Sequence, residues 1–203
     1  MTTVFLLSPA YCGGRRASII LTPDSTLPVA QRLRAGSLSL GEAFSFMSGL
    51  YFRGKLTYAR RFARDSGTTL VITPTRGLLP PDTLVSPDLL REFAGIDIAS
   101  DDVRYRQPLE RDLTTLAGQH ALGPVVLLGS VATGKYVDVL AGQLGNRLHF
   151  PSDFIGRGDM SRGGLLLRHA ASGVELAYKV LEPGMPRRGS RPPRLDPQTR
   201  AGL

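Results

Sequence analysis

Short, unbroken apolar runs constrain this chain more than any other feature. They lie at residues 4–8, 69–73 and 125–128, and none shows the apolar–polar alternation of a half-exposed strand. A strand without alternation has to be covered on both faces, the condition of a parallel sheet buried between helices. The intervening sequence has helical spacing. Across residues 40–64, broken near Gly49, the side chains of Phe52, Leu56, Ala59 and Ala63 recur at i, i+4, i+7 and i+11, an apolar stripe on one helix face. Shorter helices are expected at 27–34, where Gly36 supplies the stop, and at 87–94, 107–118 and 136–144. A short fourth strand covers 148–150. This alternation predicts an α/β fold, a three-layer sandwich around a central, mainly parallel sheet of about four strands. Residues 165–168 and 175–181 flank Ala171, Ser172 and Gly173 and read as a C-terminal β-hairpin.

The domain is expected to occupy 1–182. From 183 to 203 the chain is rich in Pro, Arg and Gly and poor in large apolar side chains, the composition of a disordered tail. The formal charge is +8 over 203 residues. Half of it belongs to that tail, which holds five Arg and one Asp. A basic balance favours acidic partners, nucleic acid first, although a GC-rich codon usage also enriches Arg. No apolar run approaches the 18 or so residues a membrane span needs, and the apolar stretch after Thr3 is too short for a signal peptide. Cys12 is the only cysteine and the three histidines are scattered. No internal disulfide and no metal site are therefore expected, and a reducing, cytoplasmic setting fits.

In an open parallel sheet, ligands sit beyond the carboxyl ends of the strands. The segments following the strands are rich in Gly, Ser/Thr and Arg/Lys. The first offers Ser8, Gly13, Gly14, Arg15 and Arg16, and the second Thr75 and Arg76. The third offers Gly129, Ser130, Thr133, Lys135 and Tyr136, and the fourth Arg157, Ser161 and Arg162. Glycine lets backbone N–H groups approach an oxyanion, and Arg and Lys supply charge. Residues 129–135 match the phosphate-loop spacing GxxxxGK, but Tyr136 stands where magnesium-binding Ser or Thr would follow. Residues 156–164 hold four glycines, Arg157, Arg162 and Asp159. Asp159 is a candidate acid/base, or an ordinary loop acceptor. Cys12, beside Arg15 and Arg16, is a candidate nucleophile or a small packed side chain.

Residues 8–10, 48–55 and 72–82 together resemble a loose set of families related to the uracil-DNA-glycosylase-like α/β fold, among them the nucleobase-handling domain of archaeosine synthases. The likeness covers roughly residues 3–150. It implies a four-stranded parallel sheet with a pocket for a base or nucleoside, approached by Ser8, Cys12 and Arg15 in the first loop and Thr75, Arg76 and Gly77 in the second. The glycosylases' acidic motif after the first strand has no counterpart, since no Asp or Glu lies between Met1 and Asp24. Classical uracil excision is not expected.

The leading expectation is a nucleobase- or nucleotide-processing enzyme, cleaving a glycosidic bond or transferring a base without a cofactor. Asp159 or Asp82 would be its acid/base, and Arg15, Arg16, Arg157 and Arg162 would hold phosphate. One alternative is a non-catalytic nucleic-acid-binding protein that sets Arg53, Lys55, Arg60, Arg64 and the basic tail against the phosphate backbone. A second is a degenerate phosphate-loop nucleotide-binding protein.

Overall fold

The computed structural model describes residues 2–63, 67–98, 101–132, 134–182 and 184–193. Six strands form one sheet: β1 (Thr2–Leu7), β2 (Thr68–Ile72), β3 (Leu78–Leu79), β4 (Leu122–Leu128), β5 (Leu148–Pro151) and β6 (Tyr178–Val180). Their order is β3-β2-β1-β4-β5-β6. The four inner strands are parallel, and β3 and β6 close the edges antiparallel. The fold is thus the expected α/β sandwich, with six strands rather than four.

Both faces of β1 are buried, as its unbroken apolar run requires. Phe5 and Leu7 pack into one core with residues of α1 (Arg15–Leu21), α2 (Pro28–Arg34), α3 (Leu40–Ser48), α4 (Leu50–Phe62) and α5 (Pro87–Ala94). Val4 and Leu6 pack into the other with α6 (Val103–Ala117) and α7 (Gly134–Leu144). The helix starts are chemically marked. Ser39 and Glu42 form a reciprocal capping box before α3, and Ser86 accepts the Leu89 N–H before α5 with Pro87 at its first position.

The C-terminal hairpin is present in a different form. Residues 165–168 do not pair as a strand but lie within α8 (Asp159–Ser172), and β6 pairs with β5 instead. Gly173, which reads as a hairpin turn, is the C-cap of α8. Its φ is 72° and its N–H donates to the His169 carbonyl, the left-handed stop that glycine allows. Three consecutive leucines at 165–167 conceal the helical period. The buried positions Arg162, Gly163, Leu166 and Ala170 carry it.

Helix α8 lies on α4 at very short range. A Cβ on Gly54 would stand 2.7 Å from the Gly163 carbonyl oxygen, and one on Gly163 would stand 2.9 Å from that of Leu50. Only hydrogen at both positions permits this backbone approach, which brings the N-terminal part of α8 against the N-terminal part of α4. Residues 184–193 contain no helix or strand, and Arg187 reaches Asp138 at 3.3 Å. The rest of the expected tail, 194–203, lies outside the described residues.

Candidate functional site

Strands β1 and β4 are neighbours whose following helices depart to opposite faces of the sheet, so a crevice opens at their carboxyl ends. A cleft of about 480 Å³ occupies it. The loop after β1 contributes Ser8, Tyr11, Cys12 and Gly14, and α1 adds Arg15 and Arg16. The loop after β4 contributes Ser130, with Lys135 and Tyr136 from the start of α7. Ser48 and Tyr51 enter from the α3–α4 junction, Phe93 and Asp97 from the end of α5, and Asp159 from α8.

Two sequence-distant cations thus meet at one cleft. Arg15 and Lys135 are both exposed, and neither side chain has a hydrogen-bond or ion-pair partner among the described residues. Arg16 is partly engaged, donating to the Phe46 carbonyl at 3.1 Å. Tyr11, 71% exposed, stands at the mouth. Tyr51 is deeply buried, and its hydroxyl has no hydrogen-bond partner in the described chain. The Arg162 guanidinium is close enough to act on Tyr51 through charge, though not in hydrogen-bond geometry. Burial dominates and pushes this phenol well up, so it stays a neutral hydroxyl at physiological pH.

Under the cleft lies a group absent from the cleft-lining residues expected above. Lys55 on α4 is 1% exposed. This excludes it from contact with a nucleic-acid backbone, the role expected of it. Its Nζ is 2.5 Å from the Ser8 carbonyl oxygen and 2.9 Å from Ser8 Oγ, and it lies over the rings of Tyr51 and Phe52 at 4.5 and 4.9 Å. Loss of hydration dominates its titration and pulls the amine down to about 7. The Asp159 charge opposes that change and the Arg162 charge assists it. The sequence holds a signal for this residue: Lys55 falls on the buried stripe of α4, between Phe52 and Ala59 and next to Gly54.

Several expected site residues are committed elsewhere. Asp82 is exposed, ion-paired with Arg60 at 2.5 Å and not among the residues that line the cleft, so it is not placed to act as acid/base there. Thr75 and Arg76 both bond to Glu92 and border a separate depression. Arg157 and Ser161 bond to each other on the far side of α8 in another depression. Arg162 is buried and donates twice to the Phe154 carbonyl, with Asp159 at 3.4 Å. It buttresses the loop before α8 rather than gripping a ligand. The expected 156–164 loop is helical from Asp159 onward, which is why its polar groups separate onto different helix faces.

Cys12 lines the cleft but is buried, and its S–H donates to the Ala10 carbonyl at 3.5 Å. Burial pushes the thiol up to about 12, which leaves no useful thiolate at neutral pH. Gly13 would crowd the Tyr11 ring if it carried a Cβ, and Gly129 would crowd Ser8. Gly129 thus serves the close packing of the two loops, and Gly13 the folding of the first loop back on Tyr11. Arg53 is exposed on α4, while Arg64 and Thr133 lie outside the described residues. Among the described residues no group of three His, Cys, Asp or Glu side chains could hold a metal ion, and no helix is long and apolar enough to cross a membrane. The chain matches no family model, no curated protein and no solved structure, so its function has to be read from this cleft.

Proposed function

We propose that this chain binds a nucleotide, or a similar anion carrying a nucleobase, in the cleft above β1 and β4. The observation that carries the reading is the meeting of Arg15 and Lys135, both without partners among the described residues, at one cleft walled by Tyr11, Tyr51, Phe93 and Tyr136. Cations of this kind attract phosphate, and aromatic walls suit the faces of a base. A volume of about 480 Å³ falls in the usual range for small-ligand sites. Ser48, Ser130, Asp97 and Asp159 are available to fix orientation. The cleft also lies where ligands of open α/β sheets bind. Of the acid/base pair expected from sequence, Asp159 remains with this cleft.

The test is thermal denaturation with nucleoside monophosphates, the parent nucleosides and inorganic phosphate, each at millimolar concentration. A ligand at a hundred times its Kd stabilises the folded state by about 2.7 kcal/mol, a rise in Tm of roughly 5–10 °C for a chain of this size. The monophosphates should shift Tm more than the nucleosides, and an Arg15→Ala/Lys135→Ala double variant should lose that difference. A folded protein whose Tm responds to none of the nucleotides would refute the reading.

A further inference from the structure

We infer that Ser8 and Lys55 form a nucleophile–base pair at the floor of the cleft, and that the chain cleaves a carboxylic ester bearing an anionic group through an acyl-Ser8 intermediate. This rests on the cleft accepting an anion, not on that anion being a nucleotide.

A buried lysine is normally matched by a carboxylate, because an isolated ammonium is costly to remove from water. Among the described residues Lys55 lacks such a match: its hydrogen bonds go to Ser8, and Asp159, whose charge acts on it, makes its ion pair with Arg162. The charged and polar groups around Lys55 are Asp159 and Arg162 from α8, Ser8 from the loop after β1 and the Tyr51 ring of its own helix. Desolvation outweighs them and favours the neutral amine near pH 7. A neutral Nζ donates one N–H to the Ser8 carbonyl and turns its lone pair to the Ser8 hydroxyl, whose O–H then donates to it. That is the arrangement in which a lysine activates a serine. Ser8 directly follows β1 and is buried at the wall of the cleft, with its hydroxyl bonded to Lys55. A lysine serving only to cap the Ser8 carbonyl would have no need of the Ser8 hydroxyl at 2.9 Å as well.

The chemistry balances within the pair. Ser8 Oγ bonds to the ester carbonyl carbon while its proton passes to Lys55 Nζ. The bond from carbon to the alcohol oxygen then breaks, and the alcohol leaves with the proton from the Lys55 ammonium. Water next attacks the acyl-serine and gives a proton to Lys55. The carbon–Oγ bond breaks, Ser8 recovers that proton, and a carboxylic acid leaves. Arg15 and Lys135 would hold the anionic group throughout.

The test is covalent labelling of the whole chain by a small alkyl fluorophosphonate, followed by intact mass and peptide mapping. One adduct is expected, on Ser8, with a rate that rises through an inflection between pH 6 and 9. Ser8→Ala should abolish it, and Lys55→Met should slow it by about 100-fold or more while remaining folded by circular dichroism. A wild-type protein labelled no faster than Ser8→Ala overturns the inference. So does a wild-type rate with no inflection in that range, a result that stands even if Lys55→Met fails to fold. Labelling needs no nucleotide, so a negative result here and a flat thermal response to nucleotides are separate failures.

Discussion

Replacing Lys55 by Met should change how stability depends on pH, not only its level. In the folded chain the amine titrates near 7, against an ordinary value of 10.5. Below about pH 7 the folded and unfolded chains both hold the proton, and the folded chain bears the full cost of a buried ammonium. Above pH 7 the folded chain sheds the proton while the unfolded chain keeps it. The unfolded state then binds more protons, so stability rises with pH up to the unfolded value. Between pH 6 and 8.5 these two values give a gain of about 2 kcal/mol, or a rise in Tm of roughly 4–8 °C. Methionine has similar length and does not titrate. It also leaves the Ser8 carbonyl without its donor, a cost of about 1–3 kcal/mol that is the same at every pH and leaves the slope untouched. Above pH 9 the unfolded Cys12 thiol ionises while the folded thiol, raised to about 12, does not; this offsets the Lys55 gain in the wild type, so the comparison is made below that pH. Urea denaturation of both proteins at fixed ionic strength supplies the comparison. The other ionisable groups are common to both proteins and cancel in the difference. Parallel stability curves for wild type and Lys55→Met from pH 6 to 8.5 would show that Lys55 does not titrate in this window and would refute the argument from burial.

Gly54→Val forces side-chain carbon into the α4–α8 contact, where a Cβ meets the Gly163 carbonyl at 2.7 Å. A loss of about 2–3 kcal/mol is expected, seen as a Tm lower by roughly 5–10 °C, and an unchanged Tm would mean that the helices separate freely. Native Cys12 should react with an aromatic disulfide reagent at pH 7.5 about 1,000-fold more slowly than the urea-unfolded chain, since both burial and thiolate scarcity act against it. Equal rates would restore it as a nucleophile.

Read alone, the sequence determined the layering. The apolar runs at 4–8, 69–73 and 125–128 have no polar face to offer water, so each had to lie between helices, and β1, β2 and β4 do. It also placed Ser8, Arg15 and Lys135 at strand ends, because a parallel sheet brings its C-terminal loops to one rim. It did not determine the partner of the last strand, since the three leucines at 165–167 suit a helix or a strand equally, and the packing of Gly163 on Gly54 of α4 accompanies the helical choice. Once that segment is helical, Ser161 falls about 100° from Arg162 and about 200° from Asp159, so it leaves the face on which Asp159 and Arg162 pair. The tertiary structure alone also decided which charges are free. Whether Asp82, Arg76 or Arg162 faces a ligand depends on partners in distant segments (Arg60, Glu92 and the Phe154 carbonyl), and no local spacing encodes them. Lys55 shows the same physics at its sharpest. Its identity is printed in the chain, but its loss of water, and with it the base it offers Ser8, exists only once α4, α8 and β1 have closed around it.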